Sequence, residues 1–312
     1  MVNGVEVDVL CNVAPEKREA CARALNVAKE ADPEGFRGVL EPEAIAAAAP
    51  LTIDELGEAL TEVAAMYAVT PISRFNVGVV VRCNGRLVFG ANAEWGPLLL
   101  SVHAEQCGVS QTLLNSARCR RAGEPIECLY VNQPPCGHCR QFLVEQEYLQ
   151  GHDIAVHVRG KKPVARVSEL LAEPFTPKDL AIPPARPEVE GVDLPGACAR
   201  GDIASLASEA FNALLDVSRA PYSGANSACA VQFGLGSGIV AGDYIENCAY
   251  NPTFQGMSAA LMAARFEGRD LSQITKVLML EKPGILSNKE VTEMICKLVC
   301  PNATFDYFSC GK

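Results

Sequence analysis

The chain is poor in histidine, with four in 312 residues, and poor in aromatic side chains, at 6% with a single tryptophan. It has no long apolar run. No window reaches the roughly 18 uninterrupted apolar residues of a membrane span, which argues against a spanning protein. It also lacks a basic run: the densest clusters, Arg118–Arg120–Arg121 and Lys161–Lys162, are short, and the net charge is −10. A protein that grips a polynucleotide needs cations to displace counterions from phosphates. The acidic balance therefore argues against nucleic acid and anionic membrane as partners, and leaves small neutral ligands open. The opening residues, MVNGVEVDVLCNV, carry neither the basic nor the apolar region of a secretory signal. The 14 cysteines are accordingly expected as reduced thiols in a cytoplasmic protein. Most should be small buried hydrophobes, with a few available as metal ligands.

What is present is the composition of a globular protein, 49% hydrophobic and 21% charged, long enough for two domains of ordinary size. Residues 1–50 read as a helical segment, with EKREACARALNVAKEA and then EPEAIAAAAP closed by Pro50. Thr52 and Glu55 form a capping-box pattern before IDELGEALTEVAAMYAV, whose Leu56, Leu60, Val63 and Ala64 share one face. FNVGVVVRCNGRLVFGANAE predicts two strands joined by a turn at Asn84–Gly85. A helix over 103–118, a buried strand in PIECLYVN, a helix from CGHCRQFLVEQEYL and a strand in DIAVHVRG follow. Residues 174–198 are dense in proline, hold no period, and read as a linker.

After the linker the order repeats. Pro71-Ile72-Ser73 is matched by Pro221-Tyr222-Ser223. Each is followed by an apolar strand, a Gly-containing turn, a second strand ending near Glu94 or Glu246, and a helix. This is an internal duplication. It carries its own control. Nine residues after Glu94 stands His103, with Glu105 two further on; nine residues after Glu246 stands Gln255, and Met257 takes the place of Glu105. The second half also has no Cys-x-x-Cys. The set is lost together, as expected of residues that work together.

The first half supplies partners for His103. In NQPPCGHCRQF, Cys136 and Cys139 sit at a helix start, where backbone N–H groups and the helix dipole favour thiolates. Two thiolates and one imidazole are three ligands, and catalytic Zn²⁺ leaves a fourth position to water, whose pKa it lowers toward about 7. Glu105 is then free to carry protons between that water and a substrate. Alone, Cys-x-x-Cys also fits a structural zinc half-site or a redox pair, and His-x-Glu fits an ordinary helix turn. In the order His-x-Glu then Pro-Cys-x-x-Cys they form the signature of zinc deaminases. His138 reads as a residue behind the ligands or on the surface, and His152 and His157 as plain surface or strand residues.

SRFNVGVVV, FGANAEW, SVHAEQCG and PPCGHCRQF, with PFTPKDL in the linker and YIENCAYNP in the second half, resemble the cytidine deaminases of the two-domain homodimeric type found in bacteria and plants. The resemblance covers roughly residues 40–305. It implies an α/β fold, a duplicated α/β/α sandwich with a mixed central sheet and a degenerate second copy. The domains would be a helical segment (1–50), a catalytic domain (51–173), the linker (174–198) and a non-catalytic copy (199–312). It implies Zn²⁺ on His103, Cys136 and Cys139, with Glu105 as proton shuttle to a zinc-bound hydroxide attacking C4. Phe75 would stack on the pyrimidine, and Asn92 and Glu94 would hold the ribose 3′-hydroxyl. The Ala104 N–H would meet the base carbonyl and the Pro134 carbonyl the amino group. Tyr250 would border the pocket of the partner subunit in a homodimer. The implied activity is that of a hydrolase in pyrimidine salvage, converting cytidine and 2′-deoxycytidine to uridine and 2′-deoxyuridine. Pro134-Pro135 and Trp95 depart from many relatives and bear on pocket shape. The rival readings are a polynucleotide or nucleotide cytosine deaminase, and a non-catalytic structural zinc protein.

Overall fold

A computed structural model describes residues 7–32, 36–118, 125–182, 189–198, 201–234 and 237–311. Arg120 and Arg121, the turn expected in the second repeat at 235–236, and residues 183–188 of the Pro-rich stretch lie outside the described residues. The chain forms two compact units. One holds Met1–Thr112, Gly123–Pro174 and Phe266–Gly268; the other holds Leu113–Ala122, Phe175–Arg265 and Arg269–Lys312.

The first unit begins with helix α1 (Arg18–Ala31), strand β1 (Val39–Leu40) and helices α2 (Pro42–Ala46) and α3 (Ile53–Ala65). Strands β2 (Gly78–Cys83) and β3 (Arg86–Ala91) follow, then α4 (Ala104–Arg118), of which residues 104–112 belong to this unit, β4 (Ile126–Val131), α5 (Gly137–Gln150), β5 (Ala155–Val158), β6 (Ala165–Arg166) and α6 (Val167–Leu170). The expected capping box starts α3: Thr52 Oγ1 accepts the Glu55 N–H at 3.2 Å, and the Glu55 carboxylate accepts the Thr52 N–H at 2.9 Å. Leu56, Leu60, Val63 and Ala64 are buried along one face of α3. The alanine-rich EPEAIAAAAP gives only the five residues of α2. Beyond Ala46 the backbone closes three-residue turns (Ala48 N–H to Ile45 O, Ala49 N–H to Ala46 O), because proline at 50 cannot extend a helix.

The six strands are ordered β1-β3-β2-β4-β5-β6. The β2–β3 hairpin turns at Asn84 (φ 46°) and Gly85 (φ 72°), the positive pair that a two-residue turn of matching twist requires. β2 pairs antiparallel with β3 and with β4, and β4 pairs parallel with β5. β1 adds an antiparallel edge to β3, so residues 39–40 of the segment expected as purely helical extend this sheet.

β2 and β3 are buried along nearly their whole length, and two glycines show why. A Cβ on Gly78 would lie 2.0 Å from the Thr61 carbonyl oxygen of α3. One on Gly90 would lie 2.4 Å from the Ala104 carbonyl oxygen and the Gly108 nitrogen of α4. Gly90 pairs with Val79, the neighbour of Gly78, so these glycines face opposite sides of the pleat. Helix α3 therefore covers one face and α4 the other, giving three layers.

The second unit repeats the design. Helix α7 (Ala204–Asp216) leads to β7 (Ser227–Phe233) and β8 (Ser237–Asp243), then α8 (Gly256–Phe266), β9 (Ile274–Glu281), α9 (Lys289–Val299) and β10 (Thr304–Ser309). The order β10-β9-β7-β8 has the same directions as β5-β4-β2-β3, with two antiparallel pairs and one parallel pair. Single bridges repeat as well: Val69–Ala93–Val102 in the first unit, Arg219–Ile245–Phe254 in the second. A Cβ on Gly242 would lie 2.3 Å from the Gly256 carbonyl and 2.1 Å from the Ala260 nitrogen, the same contact as at Gly90. Within the Pro-rich stretch a short 3₁₀ turn, Pro177–Leu180, is capped by Thr176 and Asp179, so the stretch expected to hold no period is partly folded.

The described cysteines are free thiols, all buried except Cys11 and Cys136. Among the described residues no helix is long and apolar enough to cross a membrane.

Gly90→Ala must push α4 off the sheet, since both obstructing atoms are backbone. A loss of roughly 3 kcal/mol, the upper end of overpacking, is expected in urea unfolding followed by circular dichroism. Gly137→Ala, with nothing within 4 Å of the added carbon, should leave the unfolding midpoint unchanged.

Candidate active site

Two helix starts converge on one cavity of the first unit. α4 begins at Ala104, directly after His103, and is held against β3 by the Gly90 contact. α5 begins at Gly137 with Cys136 as its N-cap. In the first turn of α5, residues 136 and 139 fall on one side. The His103 Nδ1 is 3.5 Å from the Cys136 Sγ, and the Cys136 and Cys139 sulfurs are 3.6 Å apart. The three ligand atoms lie within 4.8 Å of one another. A tetrahedral zinc ion with Zn–S near 2.3 Å and Zn–N near 2.0–2.1 Å would need sulfurs about 3.8 Å apart and nitrogen about 3.6 Å from sulfur. The Cys136–Cys139 and His103–Cys136 separations fit that requirement, and two thiolates with a neutral imidazole would balance the charge of the ion.

The electrostatics favour the ligand form at Cys136. Hydrogen bonding from Cys139, then from His103, pulls the Cys136 thiol down to about 3, while burial pushes Cys139 well above its ordinary value. The bond to Cys136 also raises His103. Glu105 is 4% exposed, and burial raises its carboxyl. It is next to Cys139 and therefore beside the ligand triangle.

The cavity above the triangle measures about 350 Å³. Its lining brings together His103, Ala104, Glu105, Cys136 and Cys139 with Phe75, Asn92, Glu94 and Pro134. Phe75 is 54% exposed at the mouth, so its ring is not part of the core. Asn92 braces the Phe75 segment from both ends: its Oδ1 accepts the Val77 N–H at 2.8 Å, and its Nδ2 donates to the Phe75 carbonyl at 2.9 Å. Glu94 accepts the N–H groups of Ile72 at 2.8 Å and Ser73 at 3.1 Å. The Ser73 side-chain hydrogen bond, with these backbone donors, holds the Glu94 carboxyl below the usual carboxylate range, so it is ionised.

Other expected residues fall elsewhere. Tyr250 lies in the second unit, 67% exposed and with φ 61°. It lines a separate cavity of about 600 Å³ with Tyr222, Tyr244, Glu246 and Gln255, whose lining includes neither histidine nor cysteine. There Glu246 accepts the Tyr222 N–H at 2.9 Å and the Ser223 N–H at 3.2 Å, as Glu94 does with Ile72 and Ser73. It also accepts the hydroxyls of Ser223 and Tyr244. Tyr244 stands where the first unit has Asn92, so Glu246 is capped from the side on which Glu94 stays open. His152 bonds to the Ile126 carbonyl at 2.8 Å, and His157 packs on Tyr130 with ring centroids 4.8 Å apart. Trp95 is buried and does not line the first cavity, whereas Pro134 does.

Residue patterns miss several supports. Asn132 Oδ1 accepts the Gly78 N–H at 3.0 Å, fixing the start of β2. Arg140 donates from Nε to the Pro135 carbonyl at 2.9 Å and from Nη1 to the Leu170 carbonyl at 3.0 Å, holding the turn that carries Pro134 and Cys136. Neither has a local signature. Ser73 does, since Pro-x-Ser recurs at Pro221-Tyr222-Ser223.

Residues 54–150 match a family model described as the cytidine and deoxycytidylate deaminase zinc-binding region, and residues 167–293 match a second model with the same description. The chain is 39% identical to the cytidine deaminase of Proteus mirabilis over 238 residues, 75% of each chain. It is 36% identical to a cytidine deaminase of Yersinia pestis over 233 residues, 73% of this chain and 74% of that one. A solved structure of cytidine deaminase from Burkholderia pseudomallei aligns at 27% identity over 40% of this chain and 100% of that chain, with a TM-score of 0.32. Two matched zinc-binding regions account for the two units, and the ligand triangle lies within the first of them. The chain therefore belongs to the cytidine deaminase family and is a zinc-binding enzyme of that family with a duplicated α/β fold.

Proposed function

We propose that this enzyme hydrolyses the C4 amino group of cytidine and 2′-deoxycytidine, giving uridine and 2′-deoxyuridine. The observation that carries the reading is the buried Glu105 beside the His103–Cys136–Cys139 triangle, at the floor of a cavity whose rim presents an open carboxylate. Zinc, when bound to these three residues, makes water acidic enough to serve as a nucleophile near neutral pH.

The chain's own residues do the rest. Glu105 takes a proton from the attacking water and delivers it to N3 of the base; it then takes the proton of the new C4 hydroxyl and delivers it to the amino group, so that the C4–N bond breaks, the C4 carbonyl forms and ammonia leaves. The Phe75 ring stacks on the pyrimidine. The Ala104 N–H donates to the base carbonyl and the Pro134 carbonyl accepts from the amino group. Asn92 and Glu94 bind the ribose 3′-hydroxyl. Glu94 is ionised, so a phosphate at the 3′ position would be repelled, which favours substrates with a free 3′-hydroxyl over strands. In this reading residues 51–173 carry the chemistry, 174–198 link, and 199–312 are a non-catalytic copy. The protein works in the cytoplasm as a homodimer, with Tyr250 bordering the partner subunit's pocket. The exposed Leu98, Leu99, Tyr250 and Ile285 are surfaces that such an assembly would cover.

Glu105→Gln should retain zinc by elemental analysis while cytidine turnover, followed in the ultraviolet, falls about 10²–10⁴-fold. Cys136→Ala should lose the metal itself. Wild-type turnover in Glu105→Gln would sink the mechanism.

Glu94→Gln should raise KM for cytidine roughly 10–100-fold, the weight of a hydrogen bond to a charged group. It should leave zinc content unchanged. Equal rates on cytidine and on a 3′-deoxy analogue in the wild type would exclude the ribose assignment.

Tyr250→Ala should lower kcat/KM while each chain keeps its zinc. Sedimentation of the wild type as a monomer at assay concentration would rule out the partner role.

A further inference from the structure

We propose that His138 is a positioning residue for His103, fixing the plane of its imidazole by stacking. The proposal rests on the reading of His103 as a zinc ligand. A ligating histidine is ordinarily oriented by its second ring nitrogen, which donates to a carboxylate or a backbone carbonyl. His103 has no such bond among the described residues. Its one polar contact there is Nδ1 to the Cys136 Sγ at 3.5 Å. The torsion that turns an imidazole about its Cβ–Cγ bond is soft, so something else must hold the ring.

His138 is placed to do so. Its ring lies over that of His103, with centroids 4.5 Å apart and planes inclined by 18°. It arrives there on the first turn of α5, between the two sulfur ligands, so the helix start that presents Cys136 and Cys139 also delivers the stacking ring. The Nε2 of His138 is buried and has no hydrogen-bond partner among the described residues. The ring is therefore not anchored through that nitrogen, and its face is the part that makes contact. A flat face on one side of His103 blocks rotation of the ring out of the plane in which Nδ1 points toward the sulfurs. Stacking orients the ligand without adding a fourth donor, so the open coordination position needed for chemistry is kept.

The test uses zinc-loaded full-length protein with His138→Ala, His138→Phe and His103→Ala. Zinc release to a chromogenic chelator gives one readout, and the visible absorption of cobalt(II)-substituted protein gives another. His138→Ala should release zinc about 10–100-fold faster, as loss of an orienting partner does, and its cobalt bands should shift. His138→Phe keeps a flat ring and should restore both readouts toward wild type. Wild-type release from His138→Ala overturns the proposal. So does a folded His138→Phe protein that loses zinc as fast as His138→Ala, because a hydrogen-bonding role would then be needed. Circular dichroism melting of each variant identifies unfolding; if His138→Ala does not fold, His138→Phe decides alone. His103→Ala separates the two readings: zinc retained in that variant would refute the metal site, whatever His138 does.

Discussion

The first unit is organised by a backbone contact that only glycine permits. Gly90 on β3 lies against the Ala104 carbonyl and the Gly108 nitrogen of α4, where a Cβ would come within 2.4 Å. A strand and a helix in backbone contact have little freedom to slide. The contact sits at the first turn of α4, next to His103 and Glu105, so the same packing that builds the third layer sets the position of the candidate ligand and proton carrier. Gly242 makes the same contact in the second unit. There the helix start carries Gln255 and Met257, which shows the contact to be a property of the scaffold, on which chemistry is an addition.

The carboxylate at the cavity rim follows the same logic. In both units a glutamate gathers the N–H groups of a Pro-x-Ser corner, Ile72 and Ser73 for Glu94, Tyr222 and Ser223 for Glu246. These bonds shape the loop whether or not a ligand is present. The difference is one neighbour. Asn92 braces the Phe75 segment and leaves Glu94 facing the cavity, while Tyr244 spends its hydroxyl on Glu246. A structural clasp thus differs from a proposed ribose site by the residue two positions before the carboxylate.

Much of this was legible in the chain. Thr52 and Glu55 announced α3, Asn84–Gly85 announced the hairpin, and His103, Glu105, Cys136 and Cys139 stood out because their chemistry is rare and their order specific. Less legible were features whose partners are far away in sequence. Val39–Leu40 is too short to show a period and becomes a strand only because β3 has a free edge. The alanine run promised a longer helix than α2, since propensity is local and the proline at 50 with its preceding turns is not. Asn132 and Arg140 hold backbone groups that no motif identifies.

The sequence by itself determined the duplication and the two-unit α/β design, and marked His103, Cys136 and Cys139 as candidate metal ligands, because these depend on local pattern and residue type. Only the tertiary structure decided that the Cys136 and Cys139 sulfurs lie 3.6 Å apart with His103 3.5 Å from Cys136, that Glu105 is buried beside them, and that His138 lies flat on His103. Those are relations between the ends of α4 and α5, segments more than thirty residues apart. Local preference fixes where each helix begins; only packing across the sheet fixes where one beginning lies relative to another.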